Sequence, residues 1–214
     1  AWCAIELAIL DLLGKENKQT LEEVLSLPKL SGEFQYSAVI GTKRMFVFYM
    51  QALLYFCKGF TDFKIKMFGA LKSDRQKIQF IRFLVGKRLR LRLDANNLWN
   101  NSEDVTEYIK KMGGSFFALE EPVQPGAYGT LASIGQSIGT NLILDESFLG
   151  YSQFKELKAV PAQWIINVRV SKMGGLIRSL LICEEARKRK VPVIIGAQVG
   201  ETSILTRAAL SLAH

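Results

Sequence analysis

Two lysines and three carboxylates follow apolar runs at regular spacing, in a pattern suited to acid–base chemistry. Lys64 and Lys66 lie two residues apart in FTDFKIKMFG, so in a strand both side chains point to the same face. Asp94, Glu120 and Asp145 follow three later apolar runs, at separations of 26 and 25 residues. Carboxylates that follow buried strands are costly unless they are paired or bind a cation. Three that converge would repel one another, and Mg²⁺, which prefers oxygen ligands, would relieve that repulsion.

The lysine pair favours a general base. A lysine must lose its proton before it can accept one, and an ordinary pKa of about 10.4 keeps a lysine charged at neutral pH. The nearby charge of Lys64, together with partial burial, would disfavour the protonated form of Lys66. The competing interpretation is a pair of lysines whose stems lie on the protein and whose ammonium groups reach into water.

The elements that would position these residues alternate along the chain. Strand-like runs start about 25 residues apart, and helical patterns fill the segments between them, as in SEDVTEYIKKMGG with Ser102 at the N-cap position. Strands that alternate with helices predict a parallel sheet, and seven such repeats favour a (β/α) barrel over an open sheet. In that fold the chemistry takes place at the carboxyl ends of the strands. The predicted strands are Ser37–Ile40, Phe63–Met67, Arg90–Asp94, Phe116–Glu120, Asn141–Asp145, Trp164–Val170 and Val191–Gly196.

Composition and charge indicate a globular protein and limit the classes of partner that it is expected to bind. The 214 residues are 49% hydrophobic and 22% charged, with a formal net charge of +8, which suits one domain. We interpret the basic runs Lys87–Arg92 and Arg187–Lys190 as solvated rims and helix ends, because no zinc-finger or RNA-binding signature accompanies them. A positive field would also attract an anionic substrate. We therefore expect no nucleic-acid partner.

The cysteines and the hydrophobic runs predict a cytoplasmic protein. Cys3, Cys57 and Cys183 are scattered and odd in number, which is typical of buried thiols in a reducing compartment. The most apolar run, Met45–Cys57, is too short to span a bilayer and contains Gln51, and no signal peptide is visible. We therefore expect no membrane partner.

The ordered motifs resemble those of a known family. KIK, LDAN, LEEP, LDES and KMGG, in this order and at these spacings, are similar to motifs of the enolase superfamily, in its mandelate racemase/muconate lactonizing enzyme branch. The resemblance implies an α/β fold with a modified, TIM-type (β/α) barrel. In that family the residues that match Asp94, Glu120 and Asp145 bind Mg²⁺. The residue that matches Lys66 is the general base, which removes the proton α to a substrate carboxylate.

The resemblance also implies a division of the chain. Residues 1–35, with AIELAILDLLGK, resemble the end of the family's N-terminal capping domain and a linker, and residues 36–214 resemble the barrel. The seven predicted strands are one fewer than a closed barrel needs. We therefore expect an incomplete barrel and a longer functional protein, since this chain by itself would expose unpaired strand edges.

The sixth strand departs from the lysine-based subgroup of the family. That subgroup commonly has a second lysine facing the base, and the matching position is Arg169, which lies between Asn167 and KMGG. Arginine stays protonated and is a poor proton acceptor, which argues against two-base epimerisation. We favour one-base dehydration of the o-succinylbenzoate synthase type, a lyase reaction in which Arg169 holds an anionic or aromatic group. Lys172 is the alternative second base, although in a continued strand it would point to the opposite face.

Other interpretations stay open. The protein could be an epimerase of dipeptides or N-acylamino acids, or a barrel without catalysis that binds a ligand. The mandelate-racemase type needs a catalytic histidine, and the one histidine, His214, is interpreted as a tail residue. Either enzyme would act on a small-molecule carboxylate, and a homo-oligomer is compatible with the pattern. Residues that could support the site or contact substrate are Asn96, Glu146, Asn167, Lys172 and Glu201.

Overall fold

A computed structural model describes residues 2–198 and 200–213, so the tail interpretation of His214 lies outside the described residues. The chain divides into two compact units. The β1–β5 unit comprises Gln35–Ser147 and Phe154–Trp164, and the β6–β7 unit comprises the described residues of 1–34, 148–153 and 165–214.

Helices and strands alternate as the sequence predicts, and all seven predicted strands are present within about two residues of their predicted bounds. The strands are β1 (Ala38–Ile40), β2 (Asp62–Lys66), β3 (Arg90–Asp94), β4 (Ala118–Glu120), β5 (Asn141–Leu144), β6 (Trp164–Val168) and β7 (Val193–Ile195). The helices are α1 (Trp2–Asn17), α2 (Leu21–Val24), α3 (Met45–Cys57), α4 (Leu71–Val85), α5 (Ser102–Met112), α6 (Tyr128–Ile138), α7 (Phe154–Ala159), α8 (Val170–Met173), α9 (Leu176–Lys188) and α10 (Ser203–Leu210).

The first five strands form a parallel sheet in sequence order within the β1–β5 unit. The register pairs Lys66 with Asp94, and Asp94 with Glu120. Paired residues of neighbouring parallel strands point to the same face of a sheet. The register therefore places Lys66, Asp94 and Glu120 in one row at the carboxyl ends of β2, β3 and β4.

The two faces of this sheet differ in polarity because side chains alternate along each strand. One face is polar. On this face Arg92 and Asp62 form an ion pair, in which Arg92 Nη2 donates to Asp62 Oδ1 at 3.2 Å, and Arg92 Nη2 also donates to Ser37 Oγ. The other face is apolar and fully buried, and each such side chain stabilises the fold by roughly 1.5–3 kcal/mol. Its residues include Phe63, Ile65, Leu91, Leu93, Leu119 and Leu142.

In the β6–β7 unit, the two strands pair in parallel, with Asn167 opposite Ile194. Helix α1 lies against α8 and α9. The Glu6 carboxylate of α1 accepts hydrogen bonds from the backbone N–H groups of Leu176 and Ile177, at the start of α9. A Cβ atom at Gly175 would lie 2.4 Å from Glu6 Oε1, so only glycine leaves room for this cap.

Two predictions, one about the sixth strand–helix repeat and one about the third, are wrong in detail. Strand β6 ends at Val168, and Arg169 precedes the four-residue helix α8. Lys172 therefore lies on a helix, and the argument that strand alternation turns it away does not apply. Helix α5 has Asn101, not Ser102, at its N-cap, because the Asn101 side chain accepts from the backbone N–H of Asp104 at 2.9 Å.

The cysteine side chains differ in their exposure to solvent. Cys3 is buried, but Cys57 at the end of α3 is exposed, so the prediction of buried thiols is wrong for Cys57. None of the helices in the described ranges combines the length and apolarity that a membrane span requires.

Candidate active site

A buried ion cluster lies at the carboxyl ends of β2, β3 and β4. Lys64 Nζ is 2.9 Å from Asp94 Oδ2 and 2.8 Å from each carboxylate oxygen of Glu120. Asp94 and Glu120 are the last residues of their strands, and they are 2% and 1% exposed. The structure thus brings together three of the predicted site residues, with one ammonium group between two carboxylates.

The charges of this cluster depend on one another. Burial alone would lower the pKa of Lys64, but the negative charges of Glu120 and Asp94 outweigh it, so the pKa of Lys64 is raised. Burial raises the pKa of the Glu120 carboxyl group, the positive charge of Lys64 opposes that rise, and the charges of Asp94 and Asp145 add to it. Lys64 is therefore held in its charged form, and the carboxylates need positive charge close by.

Lys66 lies beside this cluster without joining it. Its side chain is half-buried, and among residues 2–198 and 200–213 its ammonium group forms no hydrogen bond or ion pair. Its stem rests against the chain after β1, where a Cβ atom on Gly41 would lie 3.1 Å from Lys66 Cδ. The two lysines of KIK thus have different surroundings: Lys64 lies between two carboxylates, and the stem of Lys66 contacts the chain at Gly41.

The loop after β5 is held by Glu121, which the sequence analysis did not select as a site residue. Glu121 Oε1 accepts from the backbone N–H groups of Asp145 and Ser147, both at 2.7 Å, and Oε2 accepts from the Ser147 hydroxyl at 2.8 Å. Burial raises the pKa of Glu121 to about 7, against the lowering effect of these hydrogen bonds. The signal in the sequence was the second glutamate of LEEP, directly after a predicted ligand.

The loop after β5 also carries Asp145 and Glu146. Asp145 follows the strand directly and is 6% exposed. Glu146 is half-buried, and within the described part of the chain its buried Oε2 atom has no hydrogen-bond partner. Both carboxyl groups lie next to the segment that Glu121 fixes, so their placement depends on that residue.

Asn96 lies in the turn after β3, and the backbone conformation of this turn accounts for an asparagine at that position. Its φ is 45°, and the φ of Asn97 is 58°, in the left-handed region that asparagine tolerates better than most residues. The backbone N–H of Asn96 donates to Asp94 Oδ1 at 3.2 Å, and the Asn96 side chain is exposed. Asn96 therefore shapes the turn that leads away from Asp94.

The remaining predicted residues belong to the β6–β7 unit. Arg169 Nη1 donates to Gln198 Oε1 at 3.0 Å, and the Gln198 backbone N–H donates to Glu201 Oε2 at 2.7 Å. Lys172 Nζ donates to the carbonyl oxygen of Asn167 at 2.7 Å. The N-cap of α10 is Thr202, and Glu201 directly precedes it.

The carboxylates of the β1–β5 unit suit a hard divalent cation by their chemistry. Asp94, Glu120 and Asp145 supply oxygen donors, all three are buried, and their charges act on one another. In the described residues no three acidic, histidine or cysteine side chains are arranged as a metal-binding group. The ammonium group of Lys64 instead lies between Asp94 and Glu120 and provides the positive charge there.

Comparison with known proteins defines the class to which this fold and site belong. The family model for enolase C-terminal domain-like proteins matches residues 50–214. The chain belongs to this family. The α/β fold of the enolase-type barrel domain and the family resemblance seen in the motifs are both confirmed.

Particular relatives narrow the comparison further. The chain is 23% identical over 214 residues to the N-succinyl-L-Arg/Lys racemase of Bacillus cereus. The aligned region covers 100% of this chain and 58% of that protein. It is 26% identical over 213 residues to the hydrophobic dipeptide epimerase of Enterococcus faecalis, spanning 100% of this chain and 60% of that protein. The chain therefore spans about 60% of the length of these relatives.

Solved structures agree with this placement. A dipeptide epimerase from Enterococcus faecalis, complexed with Mg and the dipeptide L-Leu-L-Tyr, has a TM-score of 0.86 at 27% identity, covering 99% of this chain and 59% of that chain. Muconate lactonizing enzyme has a TM-score of 0.86 at 21% identity, covering 99% of this chain and 59% of that chain, which shows the shared fold.

The relatives correct one functional prediction. They are racemases and epimerases, which are isomerases, and they give no support to a dehydration of the o-succinylbenzoate synthase type or to a lyase. The alternative prediction, an epimerase of dipeptides or N-acylamino acids, fits them better.

Proposed function

We propose that the protein to which this chain belongs is a Mg²⁺-dependent epimerase or racemase. It moves the proton α to the carboxylate of a dipeptide or an N-acylamino acid. The observation that carries the proposal is the difference between the two lysines of KIK. Lys64 is paired with Asp94 and Glu120, whereas Lys66 beside them makes no such pair in the described ranges. The racemase and epimerase relatives support the same reaction class.

Asp94, Glu120 and Asp145 would hold the metal ion. When bound, Mg²⁺ supplies Lewis-acid stabilisation of the negative charge that develops on the substrate carboxylate. The burial of the three carboxylates favours such a cation, because it opposes uncompensated negative charge. Lys64 adds a fixed positive charge at the same place, since its pKa is raised by its two partners.

Lys66 would remove the α-proton. A general base must be held within hydrogen-bond reach of the proton that it takes. The stem of Lys66 is confined by the chain at Gly41, while its ammonium group is not committed to a carboxylate among the described residues. Lys64 cannot take this role, because losing its proton would leave Asp94 and Glu120 without their shared partner.

Epimerisation also requires a proton donor on the opposite face of the α-carbon. Arg169 is poorly suited, since a guanidinium group keeps its proton. Lys172 can exchange its proton, and its position on α8 removes the objection based on strand alternation. We assign the second proton transfer to Lys172 and assign to Arg169 the electrostatic binding of an anionic substrate group.

Arg169 also favours a second candidate function. With arginine in place of the second lysine, the protein could bind the carboxylate substrate without inverting it. Such a barrel would bind Mg²⁺ and ligand, and it would exchange the α-proton of one epimer at most.

The test is exchange of the α-hydrogen in D₂O, followed by NMR. We would use the full-length protein with Mg²⁺ and a pool of dipeptides and N-succinylamino acids, beside Lys66→Ala and Lys172→Ala. Lys72→Ala, at an exposed position on α4, is the matched control. We expect exchange with inversion in the parent protein and the control, and loss of inversion in both site variants. Exchange without inversion would favour the binding barrel, and no exchange with Mg²⁺ bound would contradict the epimerase.

A further inference from the structure

Another lysine of the β1–β5 unit is buried on the helix that follows the strand carrying KIK. Lys77, on α4, is 1% exposed. Its ammonium group donates to the carbonyl oxygen of Thr42 at 2.9 Å, and it lies 4.5 Å from the ring centre of Phe68 and 5.7 Å from that of Phe48. In the part of the chain that the structure describes, no carboxylate forms an ion pair with it.

Such an ammonium group requires an explanation, because burying a charge without a carboxylate partner is unfavourable. Burial lowers the pKa of Lys77, and only the negative charge of Asp74 opposes this effect. A leucine or methionine would fill the same space among Phe48 and Phe68 without a charge. What an apolar side chain would not provide is the hydrogen bond to Thr42.

That hydrogen bond holds the backbone of Gly41 and Thr42, which forms the wall against which the Lys66 stem rests. Thr42 directly follows Gly41, and a Cβ atom on Gly41 would lie 3.1 Å from Cδ and 3.6 Å from Cγ of Lys66. Any displacement of the Gly41–Thr42 backbone therefore opens or closes the space that the Lys66 stem occupies. Lys77 holds this backbone through its hydrogen bond to the Thr42 carbonyl oxygen.

The same turn of α4 also holds the chain that follows Lys66. The Phe68 ring lies over Lys77, and the Phe68 backbone N–H donates to Asp74 Oδ2 at 3.1 Å. Tyr108 donates its hydroxyl proton to the same oxygen at 2.8 Å. Lys77 and Asp74 thus fasten the segments on both sides of Lys66, one after β1 and one after β2.

We propose that Lys77 is a positioning residue for Lys66. Its buried ammonium group fixes the Gly41–Thr42 backbone and the Phe68 ring, and these confine the Lys66 side chain to one direction. The catalytic consequence rests on the proposed function, in which Lys66 is the base. The confinement of Lys66 itself does not depend on turnover.

The first test therefore needs no substrate. Lys77→Met keeps an unbranched side chain and removes the donor, and Lys72→Met makes the same change at an exposed position of the same helix. Reductive methylation with ¹³C-formaldehyde labels the lysines, and the Lys66 signal is the one lost in Lys66→Met. We expect the Lys66 signal to shift or broaden in Lys77→Met and to stay in place in Lys72→Met. An unmoved Lys66 signal in folded Lys77→Met overturns the proposal, even if the protein proves to be an epimerase.

The second test measures turnover where the parent protein is active. A misplaced base lowers the rate of the chemical step more than it weakens substrate binding. We expect Lys77→Met to lower kcat for α-proton exchange by about tenfold or more and to change KM by no more than about twofold. Lys77→Arg, which keeps a donor, should have a kcat between those of Lys77→Met and the parent protein. An equal loss in Lys72→Met, or a change in KM alone, overturns the positioning role. An inactive parent protein with a displaced Lys66 signal would contradict the epimerase and not the positioning role.

A third variant covers the case in which Lys77→Met does not fold. Gly41 is not among the glycines with positive φ, so Gly41→Ala suits the local backbone and leaves the buried ammonium group intact. The added methyl group meets the Lys66 stem at 3.1 Å and should displace the Lys66 signal in the same experiment. An unmoved signal in Gly41→Ala would show that the wall does not confine Lys66.

Discussion

At the scale of single residues, the two lysines of KIK are distinguished by their partners and not by their local sequence. Lys64 lies between two carboxylates that are buried, whereas Lys66, two positions further on, meets the chain at Gly41. Removing an ammonium group that lies between two buried carboxylates lowers the free energy of unfolding more than breaking an exposed ion pair does, because water screens the exposed pair.

Removing the Lys64 charge should destabilise the fold through the carboxylates it leaves behind. We expect Lys64→Met to lower the free energy of unfolding by about 3–5 kcal/mol at neutral pH, since Asp94 and Glu120 would lose the buried positive charge that they share. Saturating Mg²⁺ should recover more stability in this variant than in the parent protein. Urea denaturation with and without Mg²⁺ measures both effects.

Lys111→Met is the matched control for this prediction. Lys111 pairs with Glu107 one helical turn away, and both side chains are more than half exposed. Its loss should change the free energy of unfolding far less than the loss of Lys64, because water screens an exposed pair. Equal losses in the two variants would mean that the buried cluster has no special energetic role.

At the scale of elements, the site depends on connections between neighbouring strands. Glu121, just after β4, accepts three hydrogen bonds from the loop that follows β5 and carries Asp145. A residue that orients a ligand-bearing loop affects the metal without touching it.

We expect Glu121→Leu to lower the affinity for Mg²⁺ by about 10–100-fold, because the loop that carries Asp145 loses its three hydrogen bonds to the Glu121 carboxylate. Isothermal titration calorimetry on the folded variant measures the affinity. Glu103→Leu, an exposed glutamate in the first turn of α5, is the control. An unchanged affinity in Glu121→Leu would show that Asp145 is placed by other contacts.

A second connection joins α2 to α10 within the β6–β7 unit. Nη1 and Nη2 of Arg207 donate to the Glu22 carboxylate, at 2.7 and 2.5 Å, and the Ser211 hydroxyl donates to it at 2.7 Å. The hydrogen bond from Arg207 lowers the pKa of Glu22 to about 2, although burial opposes that effect. The charged pair therefore stabilises the folded state over a defined range of pH.

The pH dependence of this pair follows from the lowered pKa. Glu22 has an ordinary pKa of 4.5 and a folded-state pKa of about 2, so its contribution is complete above about pH 4.5 and is lost as the pH falls towards 2. Because the Arg207 side chain is 42% exposed, we expect Glu22→Gln to cost about 2 kcal/mol at pH 7. Urea denaturation between pH 2 and 7 should show the difference shrinking below about pH 4.5. A difference that does not change with pH would exclude this charge as its source.

At the scale of the whole molecule, apolar side chains remain exposed along one stripe of α1. Trp2, Ile5, Ile9 and Leu12 are 67%, 50%, 53% and 55% exposed, at helical spacing. Contiguous exposed apolar surface promotes association. The chain also spans only about 60% of the length of its relatives.

We therefore expect the 214-residue chain, expressed by itself, to self-associate at micromolar concentration. Ile5→Lys combined with Ile9→Glu should reduce this association, since both changes place charge on the exposed stripe. Light scattering coupled to size-exclusion chromatography measures the mass. A monodisperse 24.0 kDa species in the unaltered chain would contradict the prediction.

The sequence by itself determined the order and bounds of the elements and the positions of the ionisable residues at strand ends. These features depend on local patterns, and the bounds of β3 match the prediction to the residue because RLRLD is followed by an asparagine turn. The N-cap of α5 and the end of β6 were less well determined, since adjacent residues can serve equally well in such positions.

Only the tertiary structure decided which charged groups meet. Lys64 and Glu120 are 56 positions apart, and their contact follows from the parallel register of β2, β3 and β4. LEEP marks Glu121 by its position alone, and no motif marks Lys77, because a buried polar side chain is defined by the partners that compensate its burial. Those partners come from other elements, so they exist only once the sheet and its helices have packed.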